Sequence, residues 1–293
     1  MGHVEYKDQL RHYEQLSYEE QPWRYEQPQF NDQLRAYGPI RTAAEQYPAS
    51  MHAPAVASIA VGKSVGVAPE ADLYMVSPDW KIVNGMVDFT ELARAVDRVV
   101  AINRQLPEGR KIRVLSMSIG WTYGWLYSPG GYSAIVEAVK RAKDQGIFVV
   151  SSSLDITYGG FNFHGLGRDP LADPDKTGSY GPGSWWADWY YRTGTISDGT
   201  ETLLIPMDCR ATAAMCSPVD YAFYSEGGWS WCVPYIAGLY ALACQVAPDV
   251  TPESFWKAAL ATGDTVTLSR GSRTYDFGKI VNPARLMRAL ARP

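Results

Sequence analysis

Between residues 71 and 153 the chain alternates short β-rich apolar runs with longer stretches of helical spacing, and this restricts its architecture more than any other feature. "ADLYMV" (71–76) is strand-length, and the segment after it sets Phe89, Leu92, Ala93, Val96, Val99 and Val100 at helical intervals. "IRVLSMSIG" (112–120) is β-rich again, "YSAIVEAVKRAKDQG" (132–146) is a helix closed by glycine, and "IFVVSSS" (147–153) is a third apolar run. Strand, helix, strand, helix, strand requires right-handed crossovers, so the expected fold is α/β, with a mostly parallel central sheet covered by helices on both faces. Farther on, "TPESFWKAALATG" opens with Thr251 and Pro252 and closes at Gly263, while "NPARLMRALAR" adds one more helix.

Other classes fall away on composition. With 293 residues, of which 46% are apolar, the chain can bury a sizeable core, and no repeat, low-complexity tract or linker divides it. It reads as a single domain over 1–293, with a divergent region at 1–50 and the core at 51–293. A net charge of −4 without a basic stripe points away from nucleic acid and from an anionic membrane surface. The apolar stretches are too short to span a bilayer and "MGHVEYKDQL" is no signal peptide, so the sequence as written is expected to be cytoplasmic. Cys209, Cys216, Cys232 and Cys244 form no C-x-x-C pair and are expected to be buried free thiols. The Gly-, Pro- and Asp-rich stretch from Tyr158 to Gly183 reads as a long loop.

In such sheets chemistry gathers at the carboxyl ends of the strands. Three segments there carry it: "SMHAPAVASIAVG" with His52, the strand ends "SMSIGW" and "VVSSSLD", and "GGWSWCVPYIAG" with Ser230. A serine before an apolar helix is by default an N-cap. A glycine pair, a serine and free helix N–H groups also make a seat for a nucleophile beside an oxyanion site. The G-x-S-x-G elbow of α/β-hydrolases needs glycine where Cys232 stands, and its histidine follows the serine, whereas His52 precedes Ser230, so the pattern points away from that class.

Taken together, "HAPAVASIAVG", "GVAPEADLY", "RVLSMSIG", "GIFVVSSSLD" and "GWSWCVPYIAG" resemble the subtilisin-like serine proteases (subtilases, peptidase family S8), in order and spacing, over residues 50 to 290. The serine segment keeps Gly228, Ser230, Pro234, Ala237 and Gly238 and substitutes Trp229, Trp231 and Cys232. The resemblance implies a three-layer α/β domain and a serine endopeptidase acting on a peptide or protein substrate. Ser230 would be the nucleophile, with its own N–H in the oxyanion site, and His52 the base. Ser118, Ile119 and Gly120 would pair with extended substrate, and Ser151, Ser152 and Ser153 would flank the side-chain pocket.

Two departures qualify this. The family's aspartate ends an apolar strand before the histidine, and no such run precedes His52; Asp8 and Asp32 lie in polar contexts. "GHVEYKDQL" resembles the stretch that follows that aspartate, so the chain is expected to start just past its own acid, whose strand belongs inside the sheet. In the oxyanion region, Asp155 stands where the family has an asparagine donor, and a carboxylate cannot donate; Asn162 and His164 are substitute donors. The alternative is a catalytically impaired pseudoprotease that binds peptide or protein without turnover. No cofactor is expected beyond calcium at "RDPLADPDKTGSY", whose spacing matches no cation loop, and no metal ligand is assigned. "SWWADWYY" (184–191) is either a binding surface or an amphipathic helix burying its rings.

Overall fold

The alternation becomes a layer of strands held between two layers of helix. The computed structural model describes residues 3–16, 49–78, 81–83, 86–122, 128–184, 186–187, 202–214, 218–270 and 272–291. Its first strand, β1 (Leu10–Gln15), precedes helix α1 (Ala49–Val61) and lies parallel to β2 (Leu73–Ser77), with Leu10 opposite Leu73. A hairpin of β3 (Lys81–Val83) and β4 (Met86–Asp88) leads into α2 (Thr90–Gln105). β5 (Val114–Met117), α3 (Pro129–Asp144) and β6 (Phe148–Ser151) form a βαβ unit in which β5 and β6 are parallel. α3 starts where Ser128 Oγ accepts from the Gly131 N–H and ends before Gly146, whose φ of 73° favours glycine.

Next come α4 (Leu154–Tyr158), β7 (Asn162–Arg168), β8 (Tyr180–Pro182) and β9 (Thr202–Pro206). β7 lies within the stretch expected to be a loop. Its glycines suggest a break, yet Phe163, Gly165 and Leu166 are buried and β7 pairs with β9 in parallel register. β10 (Arg210–Ala213) and β11 (Tyr221–Tyr224) form a hairpin before α5 (Trp229–Val246). α6 (Pro252–Thr262) follows, capped by a box between Thr251 and Ser254, then the hairpin of β12 (Asp264–Arg270) and β13 (Arg273–Ile280), then α7 (Pro283–Leu290). β12, β13, β9, β7 and β8 make one sheet in that order.

β6 is the centre of the molecule. Phe148 and Val150 face Ile59 of α1, Ile236 and Tyr240 of α5 and Phe255 of α6, while Val149 faces Ile135 and Val139 of α3. The two helical layers are therefore α1, α5, α6 and α7 on one side and α2 with α3 on the other.

β2 and β5 share this middle layer without sharing a ladder. β2 is flanked by α1 and α2, and β5 by α5 and the α2–α3 layer. Among the described residues β2 pairs with β1 alone and β5 with β6 alone. β2 is half-buried along its length, unlike β6, which is buried at every position.

Candidate active site

Ser230 is the second residue of α5. The N-cap is Gly228, which makes no side-chain cap bond, so the hydroxyl of Ser230 does not serve its own helix. The turn before it is anchored to β9. A Cβ on Gly227 would lie 2.5 Å from the Met207 carbonyl oxygen, an approach only glycine allows. The Gly227 N–H donates to Asp208 Oδ1 at 2.7 Å, and the same carboxylate accepts from the Ser184 N–H at 2.8 Å and the Ser184 hydroxyl at 3.0 Å. Sequence reasoning missed Asp208, which is 8% exposed and lies just past β9.

The hydroxyl of Ser230 donates to the Ser118 carbonyl at 3.3 Å, and the hydroxyl of Ser118 donates to the Ser230 carbonyl at 2.9 Å. Pro234 explains the second bond. It has no N–H, so the carbonyl four residues earlier, that of Ser230, lacks its helical donor, and Ser118 supplies one.

These residues border a cleft of about 840 Å³. One wall is residues 118–122, the other is Ser152, Ser153, Asp155 and Ile156, the back is residues 161–164, and Gly228, Trp229 and Ser230 close the side nearest α5. The walls are stitched together at their base: the Ser152 N–H donates to the Ile119 carbonyl at 3.1 Å, and the Ser153 hydroxyl bridges the Trp121 N–H at 2.8 Å and the Trp121 carbonyl at 2.7 Å. Of the residues expected here, Ser118, Ile119, Gly120, Ser152, Ser153, Asp155 and Ser230 line the cleft. Ser151 does not: it is fully buried and its hydroxyl accepts from the Ser153 N–H at 3.1 Å. Trp121, Phe161 and Phe163 were not anticipated; the period-two spacing of Phe161 and Phe163 was their only signal.

His52 stands on α1 beside the start of α5. The helices approach closely because Gly238 meets Val67 and the Ala60 carbonyl, where a Cβ would come within 2.7 Å and 2.9 Å. The imidazole lies against the Trp231 ring, centroids 5.4 Å apart, and Tyr224 meets the same indole edge-on at 5.1 Å. Burial pushes the His52 pKa below its ordinary value. Among the described residues no hydrogen bond joins His52 to Ser230 or to a carboxylate. Asp8 ion-pairs with Lys63 past the far end of α1, roughly 14 Å along the axis from His52. Asp32 lies outside the described residues.

Asn162 and His164 also line the cleft. Burial lowers the His164 pKa, its Nδ1 is enclosed without a partner among the described residues, and its ring sits among Trp186, Trp229 and Phe277. Trp186 itself is buried, stacked on Phe277 at 5.1 Å with its Nε1–H on the Gly165 carbonyl at 2.6 Å; Ser184 and Ala187 are also described, and the rest of 184–191 is not. In the acidic stretch Asp169 and Asp173 accept from backbone N–H groups at 2.8 Å and 3.0 Å and close turns. Among the described residues no three His, Cys, Asp or Glu side chains gather as metal ligands. Cys209, Cys232 and Cys244 are free thiols whose pKa values burial raises; Cys216 lies outside the described residues. No helix among the described residues is long and apolar enough to cross a membrane.

The chain matches the subtilase family (Peptidase_S8) over residues 15–231. A structure of the subtilase cytotoxin SubAB aligns with a TM-score of 0.58 and 12% identity, covering 85% of this chain and 78% of that one. The A-subunit of the AB5 toxin from E. coli aligns at 0.54 with 13% identity over 99% and 95%. The PatG macrocyclase in complex with peptide aligns at 0.50 with 17% identity over 82% and 68%, and this chain spans 64% of the PatG macrocyclase domain. At these identities the likeness is one of fold.

Proposed function

The chain belongs to the subtilase family, and from that premise we propose that it is a serine endopeptidase in which Ser230 attacks the peptide carbonyl and His52 carries the proton. One observation carries the reading: Ser230 stands at the seam between a cleft of about 840 Å³ and the helix pair that presents His52 against Trp231. In the proposed reaction the Ser230 hydroxyl leaves the Ser118 carbonyl, its acceptor here, and turns to His52. A peptide laid along residues 118–120 competes for that carbonyl and so releases the nucleophile. His52, whose charged form is disfavoured by burial, is neutral at neutral pH and can accept the proton. As the Oγ–C bond forms, the carbonyl electron pair moves to oxygen beside the Ser230 N–H in the first turn of α5; its collapse breaks the C–N bond, and the imidazolium returns the proton to the leaving amine.

The mechanism calls for a carboxylate to orient His52. The lack of a carboxylate on His52 among the described residues favours a second reading, a module that binds peptide without cleaving it. A fluorophosphonate probe separates the two. Labelling of the folded parent that disappears in Ser230→Ala and falls in His52→Ala supports the protease; a folded protein that takes no label supports the binding module.

A further inference from the structure

One charged group in the cleft has no part in the reaction above. Asp155 is exposed in the first turn of α4 and lines the cleft, and among the described residues its carboxylate has no hydrogen-bond or ion-pair partner. Many carboxylates elsewhere are held by cations: Asp72 by Arg11 and Arg110, Asp97 by Arg141, Glu14 by Arg98. Among the described residues no lysine or arginine lines this cleft, and its other titratable side chain, His164, has its charged form disfavoured by burial. Among the described residues the cleft therefore holds one uncompensated negative charge.

That charge stands above apolar ground. Trp121 at the foot of one wall and Phe161 and Phe163 at the back are almost fully buried and give the cleft an apolar floor, while Ile156, 53% exposed, sits beside Asp155 at the rim. Phe161 shows the cleft only its edge, because Tyr158 and Trp256 stack on its two faces with centroids 4.9 Å and 4.8 Å away. A ring edge is the positive end of the quadrupole, so this part of the floor suits a hydrocarbon chain better than a cationic head. A carboxylate at the rim of such a floor fits a side chain whose stem is methylene and whose end is a cation.

We propose that Asp155 is the specificity-determining residue of this cleft, selecting a peptide that places a lysine or arginine there, with its stem across the rings and its head on the carboxylate. The inference rests on the peptide-binding reading given above. It also gives the Asp155 carboxylate a use at a site where negative charge develops: a substrate cation compensates it before the oxyanion forms beside Ser230, so the preference acts on turnover as well as on binding.

The test uses the full chain carrying Ser230→Ala, which binds without cleaving, and three fluorescent peptides Ac-Ala-Ala-Xaa-Ala with Xaa arginine, methionine or glutamate. Anisotropy is expected to show arginine binding about 5-fold tighter than the uncharged, unbranched methionine, the size of a solvent-screened carboxylate–guanidinium pair, with glutamate weakest. Adding Asp155→Asn brings arginine and methionine to within about twofold, and Asp155→Lys reverses the order in favour of glutamate. Equal binding of arginine and methionine, a preference that survives Asp155→Asn, or no binding of any peptide overturns the inference. Fluorophosphonate labelling of the parent is scored separately. Arginine selectivity without labelling removes the protease reading and keeps the role of Asp155, whereas labelling without selectivity does the reverse.

Discussion

Ser230 and His52 stand at the starts of neighbouring helices, yet the protein supports them by different means. The serine is placed by directed hydrogen bonds: Asp208 holds Gly227, and Ser118 takes the carbonyl that Pro234 leaves without a donor. The histidine is placed by packing, its ring against Trp231 and its helix against α5, with no hydrogen bond to orient the imidazole among the described residues. Hydrogen bonds fix direction and packing fixes position, so the nucleophile is both positioned and aimed while the base is only positioned. The same asymmetry runs through the strand layer, where β6 is buried at every position and β2 is half-buried along its length.

The contrast breaks hardest at Trp231, a residue of the serine's helix whose ring packs on the histidine. Trp231→Ala removes a ring that is 7% exposed and packed between His52 and Tyr224, and is expected to cost about 3–5 kcal/mol of stability in urea denaturation. In the folded fraction His52 gains water, so its pKa, followed by NMR, rises towards the ordinary histidine value. An unmoved titration would mean that Trp231 is not what desolvates the imidazole. The next largest effect is on the serine side. Asp208→Ala leaves the Gly227 N–H and both Ser184 donors without their acceptor, costing about 2–3 kcal/mol, and it is expected to slow fluorophosphonate labelling of Ser230 beyond what the stability loss explains. Labelling at the parent rate in folded Asp208→Ala would show that the turn holds its shape unaided.

A smaller effect needs no change in packing. Because burial lowers the folded-state pKa of His52, the unfolded chain binds more protons between that value and about 6.5. The stability contribution is whole above the unfolded pKa and is lost as pH falls towards the folded one. His164 behaves alike. His52→Gln is expected to flatten the fall in stability below about pH 6.5, and the double variant with His164→Gln to flatten it further. A fall of undiminished slope in the double variant would place its source in the carboxylates.

How much of this was legible in the sequence follows from the range of the interactions. α2 and α6 were readable because their causes are local: the spacing of Leu92, Val96 and Val99, and a capping box within Thr251 to Ser254. β7 was read as a loop because glycine and proline density outweighed a short alternation that only pairing with β9 makes decisive. Ser230 was found by its local turn, but its acceptor, the Ser118 carbonyl, lies 112 positions away and nothing near either residue announces the pair. Asp208 and Ser151 fail for the same reason in opposite senses: one looked ordinary and anchors the turn before Ser230, the other looked placed to flank the cleft and is buried behind it.

The smallest expected effect is also the most discriminating, because it asks whether direction at Ser230 really comes from one hydroxyl. Ser118→Ala removes the donor to the Ser230 carbonyl and is expected to cost about 1 kcal/mol. Pro234→Ala restores a backbone N–H four residues on, the donor a continuous helix would use, so the carbonyl no longer depends on Ser118. In that background Ser118→Ala should cost close to nothing, a coupling of about 1 kcal/mol between two side chains that need not touch, and labelling of Ser230 should become insensitive to Ser118 as well. If Ser118→Ala costs the same with proline and with alanine at 234, the carbonyl is not what links them, and the serine is held by packing just as the histidine is.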